Sequence, residues 1–171
     1  MTASKGSDSN SGVRKKRSVK SAKLVTIGWR EWVGLPELEV PRVKVKVDTG
    51  ARTSALHAVK LKAFEQEGRE WVSFVVHPLQ DSLRGSVNVS VPVHDWRNVK
   101  SSNGKSERRP IILTRLTLGE RTWPIELSLT RRDNMGFRML LGRQALSRRV
   151  LVDTGRSFLV TPDIPPKEGN S

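Results

Sequence analysis

The chain has 171 residues, 31 of them Lys or Arg against 17 Asp or Glu, giving a formal net charge of +14, and it has no cysteine. The missing thiols exclude a disulfide framework, thiolate zinc sites, iron–sulfur clusters and a cysteine nucleophile. No apolar run approaches the ~20 residues that span a bilayer, and the start lacks the apolar centre of a secretory signal, so a soluble, cytoplasmic protein of one domain plus tails is expected.

Residues 1–23 carry seven basic residues against one acid, Asp8, and almost no large aliphatics. Such a segment cannot offset its ordering entropy and reads as a disordered basic arm. Subtracting its +6 from +14 leaves +8 on the remainder, so the folded part is basic as well. The body, residues 24–161, reads as β-rich. Residues 43–47 (VKVKV) alternate apolar and polar with period two, the pattern of a half-buried strand. Residues 71–76 and 87–91 repeat the pattern, with Pro78 and Pro92 ending them. Residues 95–110 are too polar for a core strand and read as a charged loop. Strands follow at 111–118 and 123–129, joined by a hairpin-like break at 119–122. Residues 140–148 hold helix formers after a glycine, which predicts one short helix. Two last strands are predicted at 150–152 and 157–160, and residues 162–171 read as a loose tail. Many short strands with one late helix point to a closed or sandwiched β domain.

The sharpest local feature is Asp48-Thr49-Gly50, where an apolar strand delivers a carboxylate into a turn whose glycine allows close backbone approach. The Thr49 hydroxyl is expected to fix the loop. An ordinary turn is the competing reading, since such residues are common at strand ends. A second feature, Leu140-Leu141-Gly142-Arg143, sets two aliphatics and a glycine at the start of the helical segment. Aspartic proteases pack such a hydrophobic pair and glycine behind the Asp-Thr-Gly loop. The string Val-Asp-Thr-Gly recurs at 152–155, making Asp153 a candidate second carboxylate.

Three motifs in order carry a family resemblance: 27–33 (IGWREWV), 46–58 (KVDTGARTSALHA) and 139–143 (MLLGR). The chain resembles the retropepsin-like aspartic peptidases labelled ATP-dependent zinc proteases, which include the RimB proteins associated with the RimK glutamate ligase. Residues 101–104 and 108–110 also fit that pattern. The resemblance covers about 26–160. It implies a retropepsin-type β fold, a catalytic Asp48-Thr49-Gly50 loop supported by Leu140, Leu141, Gly142 and Arg143, and, for the RimB branch, removal of glutamate tails from a ribosomal protein.

The label itself fits the residues poorly. Gly104-Lys105-Ser106 ends like a phosphate cradle, but Val99 stands where its first glycine belongs. The three histidines, His57, His77 and His94, fall outside the two-histidine zinc motif. No cofactor is expected. Aspartic proteolysis needs two carboxylates sharing a proton, so one Asp48 per chain implies a two-fold dimer. Asp153 is the alternative within one chain, although no hydrophobic pair and glycine follow it.

Charge suggests the substrate. Ala51, Arg52 and Thr53 follow the candidate loop, and Arg108, Arg109, Arg131, Arg132, Arg138 and Arg143 add to an arginine-rich body, a field that attracts acidic peptides. Arg52 is therefore expected to favour glutamate-rich substrates, unless it is spent in an internal ion pair with Asp153 or Glu126. A non-enzymatic RNA- or ribosome-binding module is the alternative function. The basic arm supports it through phosphate attraction, and would equally tether an enzyme near ribosomes. Tyrosine is absent and aromatics are 5%, a poor supply for base stacking.

Overall fold

A computed structural model describes Thr2 and residues 23–100 and 103–162. The basic arm expected over 1–23 and the tail expected over 162–171 therefore lie outside the described residues, but for Thr2, Lys23 and Pro162. Twelve strands and one short helix follow in order: β1 (Val25–Gly28), β2 (Arg30–Leu35), β3 (Val40–Asp48), β4 (Ser54–His57), β5 (Val59–Gln66), β6 (Arg69–Val76), β7 (Val87–Pro92), β8 (Asp95–Lys100), β9 (Ser106–Leu118), β10 (Arg121–Thr130), β11 (Met139–Gly142), α1 (Arg143–Leu146) and β12 (Val150–Asp153). A single 3-10 turn, Pro36–Leu38, links β2 to β3.

The main sheet has the order β10-β4-β11-β3-β2-β9-β8, and β10 also pairs with β9, so six strands close on themselves and β8 extends outward. Closure hides the strand edges that an open sheet would leave unpaired. Ile27, Leu35, Leu56, Ile112, Leu116, Leu127, Met139 and Leu141 fill the interior. The alternation in 43–47 does what its period predicts, with Val43 and Val45 fully buried between half-exposed and exposed lysines. β5, β6 and β7 form a separate antiparallel sheet, and β1 pairs in parallel with β12.

Four sequence expectations need correction. The charged stretch 95–110 is a hairpin rather than a loop: Asp95 pairs with Ile111 and Lys100 with Ser106. Most of it is exposed or half-exposed, so it needs no apolar face. The predicted helix shrinks to Arg143–Leu146, because Leu140 and Leu141 belong to β11. Residues 157–160 form no strand. The Phe158 amide bonds Arg30 O and those of Leu159 and Val160 bond the Glu31 carboxylate, which leaves no ladder to join. Finally, β4 and β5 carry no clean alternation, all four β4 residues being buried and β5 largely exposed, so neither was predicted.

Candidate active site

β3 ends at Asp48, and the chain reverses through Thr49 and Gly50. Asp48 Oδ1 accepts hydrogen bonds from the amides of Gly50 (3.0 Å) and Ala51 (3.3 Å), so the carboxylate caps its own turn. Asp48 Oδ2 has no hydrogen-bond partner among the described residues. The Thr49 hydroxyl also has none, a correction to the expectation that it fixes the loop. Arg143 does that instead: one Nη donates to the carbonyls of Thr49 and Gly50, each at 2.9 Å.

The support behind the loop comes from β11, which lies between β3 and β4, parallel to the first and antiparallel to the second. Its register sets Leu141 opposite Val47 and Gly142 opposite Asp48. Leu141 is fully buried, whereas Leu140 on the other face is half-buried. The Gly142 amide donates to Ser54 Oγ at 3.0 Å in a buried contact. As the chain turns into α1, the amides of Arg143 and Gln144 bond the carbonyls of Ala51 and Arg52. Residues some ninety positions apart thus build one loop.

Glycine is required at 142 for space, since its φ of −84° is one that any residue adopts. A Cβ there would stand 2.7 Å from the Thr53 carbonyl carbon and 2.9 Å from Arg52 O. Both are backbone atoms that cannot swing aside. Gly142→Ala is therefore expected to lower stability by about 1–3 kcal/mol through overpacking and to displace the Asp48 loop. Thermal melts that differ by less than about 0.5 kcal/mol from the parent would show that the crossing has slack.

The remaining predicted residues divide. Ala51, Arg52 and Thr53 continue the loop, with Arg52 exposed and its side chain unpaired among the described residues. Neither acid proposed for it is available: Asp153 pairs with Arg156, and Glu126 is gripped by Arg97. That bidentate bond, with burial opposing it, holds the Glu126 pKa below the usual carboxylate value and ties β8 to β10. Arg109 is half-buried and bonds Glu107 at 2.7 Å, while Arg108 is exposed, its guanidinium 5.1 Å from the Trp96 ring centroid. Asp153 caps its own turn through the Gly155 amide (2.9 Å), in the β1–β12 pair rather than the main sheet, and no hydrogen bond joins it to Asp48.

Sequence reasoning missed two contributors, Ser54 and Glu31. Ser54 holds Gly142. Glu31, fully buried, accepts from the amides of Gly28, Leu159, Val160 and Thr161 and from the Thr161 hydroxyl. It stood inside the 27–33 motif, where an acid between aromatic residues was the available signal. Arg132, read from the sequence only as one arginine of the basic body, is half-buried, with its Nε donating to Phe137 O.

Among the described residues no group of three or more His, Asp or Glu is placed to hold a metal ion. Gly104 and Lys105 belong to the turn between β8 and β9, with Gly104 at φ +82°, Ser106 opens β9, and no helix N-terminus follows to receive a phosphate. No helix among the described residues is long and apolar enough to cross a membrane.

A closed β domain whose Asp-Thr-Gly loop is backed by a crossing hydrophobic-glycine strand and a short helix defines the retropepsin-like class. The family described as retropepsin-like aspartic endopeptidase RimB matches residues 26–163. The chain belongs to this RimB-like family. It is 51% identical over 132 residues to a "Probable alpha-L-glutamate ligase" of Shewanella pealeana, covering 77% of this chain and 29% of that protein. A protein of the same name from Desulfotalea psychrophila is 50% identical over 127 residues, covering 74% and 27%. The chain thus spans less than a third of these curated relatives. The crystal structure of Lpg0085, a protein of unknown function from Legionella pneumophila, superimposes with a TM-score of 0.68 at 25% identity, covering 80% of this chain and 98% of that one.

Proposed function

We propose that the protein is an aspartic peptidase that hydrolyses acidic, polyglutamyl peptides and trims glutamate tails of the kind a RimK-type ligase adds to a ribosomal protein. One observation carries the reading: Asp48 is held through Oδ1 while Oδ2 stays uncommitted, at a loop braced by Gly142 and Arg143. Each chain contributes one such loop, so the active unit is a homodimer with two Asp48 carboxylates on the two-fold axis. The pair shares one proton, because adjacent like charges do not both ionise cheaply. The ionised member takes a proton from water as the water oxygen bonds to the scissile carbonyl carbon. The protonated member gives its proton to the carbonyl oxygen. Collapse breaks the C–N bond, the amine leaves with a proton, and the dyad regains its single shared proton.

The substrate class is supported by Arg52 beside the loop, by Arg108 and Arg109 on the hairpin, and by the net positive charge. The glutamate ligase named for the relatives supports it too, since a peptidase domain within a chain that adds glutamate has a glutamate product within reach. A basic arm over 1–23 would hold the enzyme near ribosomal RNA.

The test offers the purified protein a glutamate-tailed peptide and its glutamine-tailed counterpart, while sedimentation reports the assembly state. Cleavage of the acidic peptide by a dimer is expected, with added salt eroding the preference. Cleavage of neither peptide by a dimeric, folded protein would remove the peptidase reading.

A further inference from the structure

We infer that Arg132, with Arg109 beside it, forms the recess that receives the side-chain carboxylate of a substrate glutamate next to Asp48; the assignment rests on the peptidase reading and names its specificity residue. Most of the arginines around the site are already engaged. Arg143 holds loop carbonyls, Arg138 donates through one Nη to Gln80 O at 2.8 Å while its buried Nε has no partner among the described residues, and Arg131 is exposed and paired with Asp133. Arg109 is paired through Nε with Glu107, whose same oxygen also accepts from the Thr130 hydroxyl.

Arg132 differs from all of these, and from Arg52, which is unpaired but exposed. Its side chain is half-buried, and its one hydrogen bond is a long one, from Nε to Phe137 O at 3.4 Å. Both Nη groups lack an acceptor among the described residues. Burial first, and then the Arg109 charge, push its pKa below the ordinary arginine value, with Asp48 acting in the opposite direction. Asp48 and Arg132 form no ion pair, but Phe137, whose carbonyl Arg132 bonds, sets its ring edge-on to Trp29 at 6.0 Å, and Trp29 O accepts at 2.8 Å from the amide of Val47, the residue before Asp48. A desolvated guanidinium facing a like charge gains most from an incoming anion, and its planar fork matches a carboxylate through two parallel hydrogen bonds. A glutamine side chain of the same length would bring one acceptor, and an amide group that donates where only donors wait.

The position is fixed before any ligand arrives. The Arg132 amide donates to His57 Nδ1 at 2.8 Å. His57 is 1% exposed, and burial together with Arg138 holds its pKa below the usual value, so the imidazole stays neutral and accepts. Gln80 Nε2 bonds Met135 O at 3.1 Å and pins the far side of the same loop. A recess held from both ends loses little freedom on binding.

The experiment uses the full chain carrying Asp48→Asn, so that bound peptide is not turned over, and measures binding of the glutamate-tailed and glutamine-tailed peptides by calorimetry. A preference for the glutamate tail is expected. Arg132→Gln in that background should weaken glutamate-tail binding tenfold or more, and Arg132→Lys, which keeps the charge but loses the fork, severalfold. Arg131→Gln should leave binding unchanged, and thermal melts establish that each variant is folded. Binding within twofold of the parent for both Arg132 variants would overturn the recess, as would no preference between the two tails. A glutamate preference that depends on Arg132, in a protein that hydrolyses neither peptide with Asp48 intact, would remove the peptidase reading and leave the recess standing.

Discussion

Asp48→Asn is expected to lower hydrolysis of glutamate-tailed peptides by at least 10²–10⁴-fold, roughly the share that a positioned acid–base group supplies, in protein that melts like its parent. The substitution keeps an oxygen where Oδ1 accepts the Gly50 and Ala51 amides, so the turn survives. It replaces the uncommitted oxygen with an amide group that neither accepts a proton from water nor shares one across a dyad. The informative companion is Asp153→Asn. Asp153 is tied to Arg156 and the Gly155 amide on the β1–β12 pair, and its loss should leave the rate near that of the parent. Activity that survives at 48 and disappears at 153 would exchange the two assignments and make the repeated Val-Asp-Thr-Gly string the catalytic one.

Glu31→Ala is expected to have the largest effect on stability. The carboxylate is fully buried and gathers five donors, four of them amides, from two segments nearly 130 residues apart. Bonds to a charged acceptor contribute roughly 1.5–3 kcal/mol each when no replacement exists. Rearrangement and water entry would recover several of them, so the net loss should be about 4 kcal/mol, a fall of about 12 °C in melting temperature for a chain of this length. Glu31→Gln should fall in between, because its carboxamide keeps one acceptor and places a donor among donors. Thermal melts check both. A Glu31→Ala protein within 1 kcal/mol of the parent would mean that residues 157–161 are held by something other than this carboxylate.

How much was legible beforehand follows from which interactions are local. The alternation over 43–47 and the glycine after Asp48 are properties of adjacent residues, and both the strand and the turn could be read from them. The Leu140-Leu141-Gly142 motif was legible only through family resemblance, because its role lies in pairing with β3 and β4, about 85 to 95 positions earlier. Its misreading as helix has the same origin: leucines favour a helix on propensity, but pairing with two strands overrides propensity. The hairpin at 95–110 was missed because the period-two signal reports burial of one face, and this hairpin buries little. Glu31 and Arg132 could not be ranked above other charged residues, since their standing depends on desolvation by segments remote in sequence. The residues 157–160, read as a strand from their apolar character, are shaped by a side chain rather than by a neighbouring strand.

The insertion of β11 between β3 and β4 also dictates an order of events in time. Until residues 139–144 arrive, β3 and β4 have a gap between them, and the carbonyls of Ala51 and Arg52 have no donors from α1. A chain emerging from its N-terminus would therefore display Asp48 long before anything braces it. Contacts of such sequence separation close late and slowly, because the loop entropy is lost before the contact is gained. The loop that holds Asp48 is therefore completed only when residues 139–144 have threaded between β3 and β4, so its geometry is among the last features of the barrel to form.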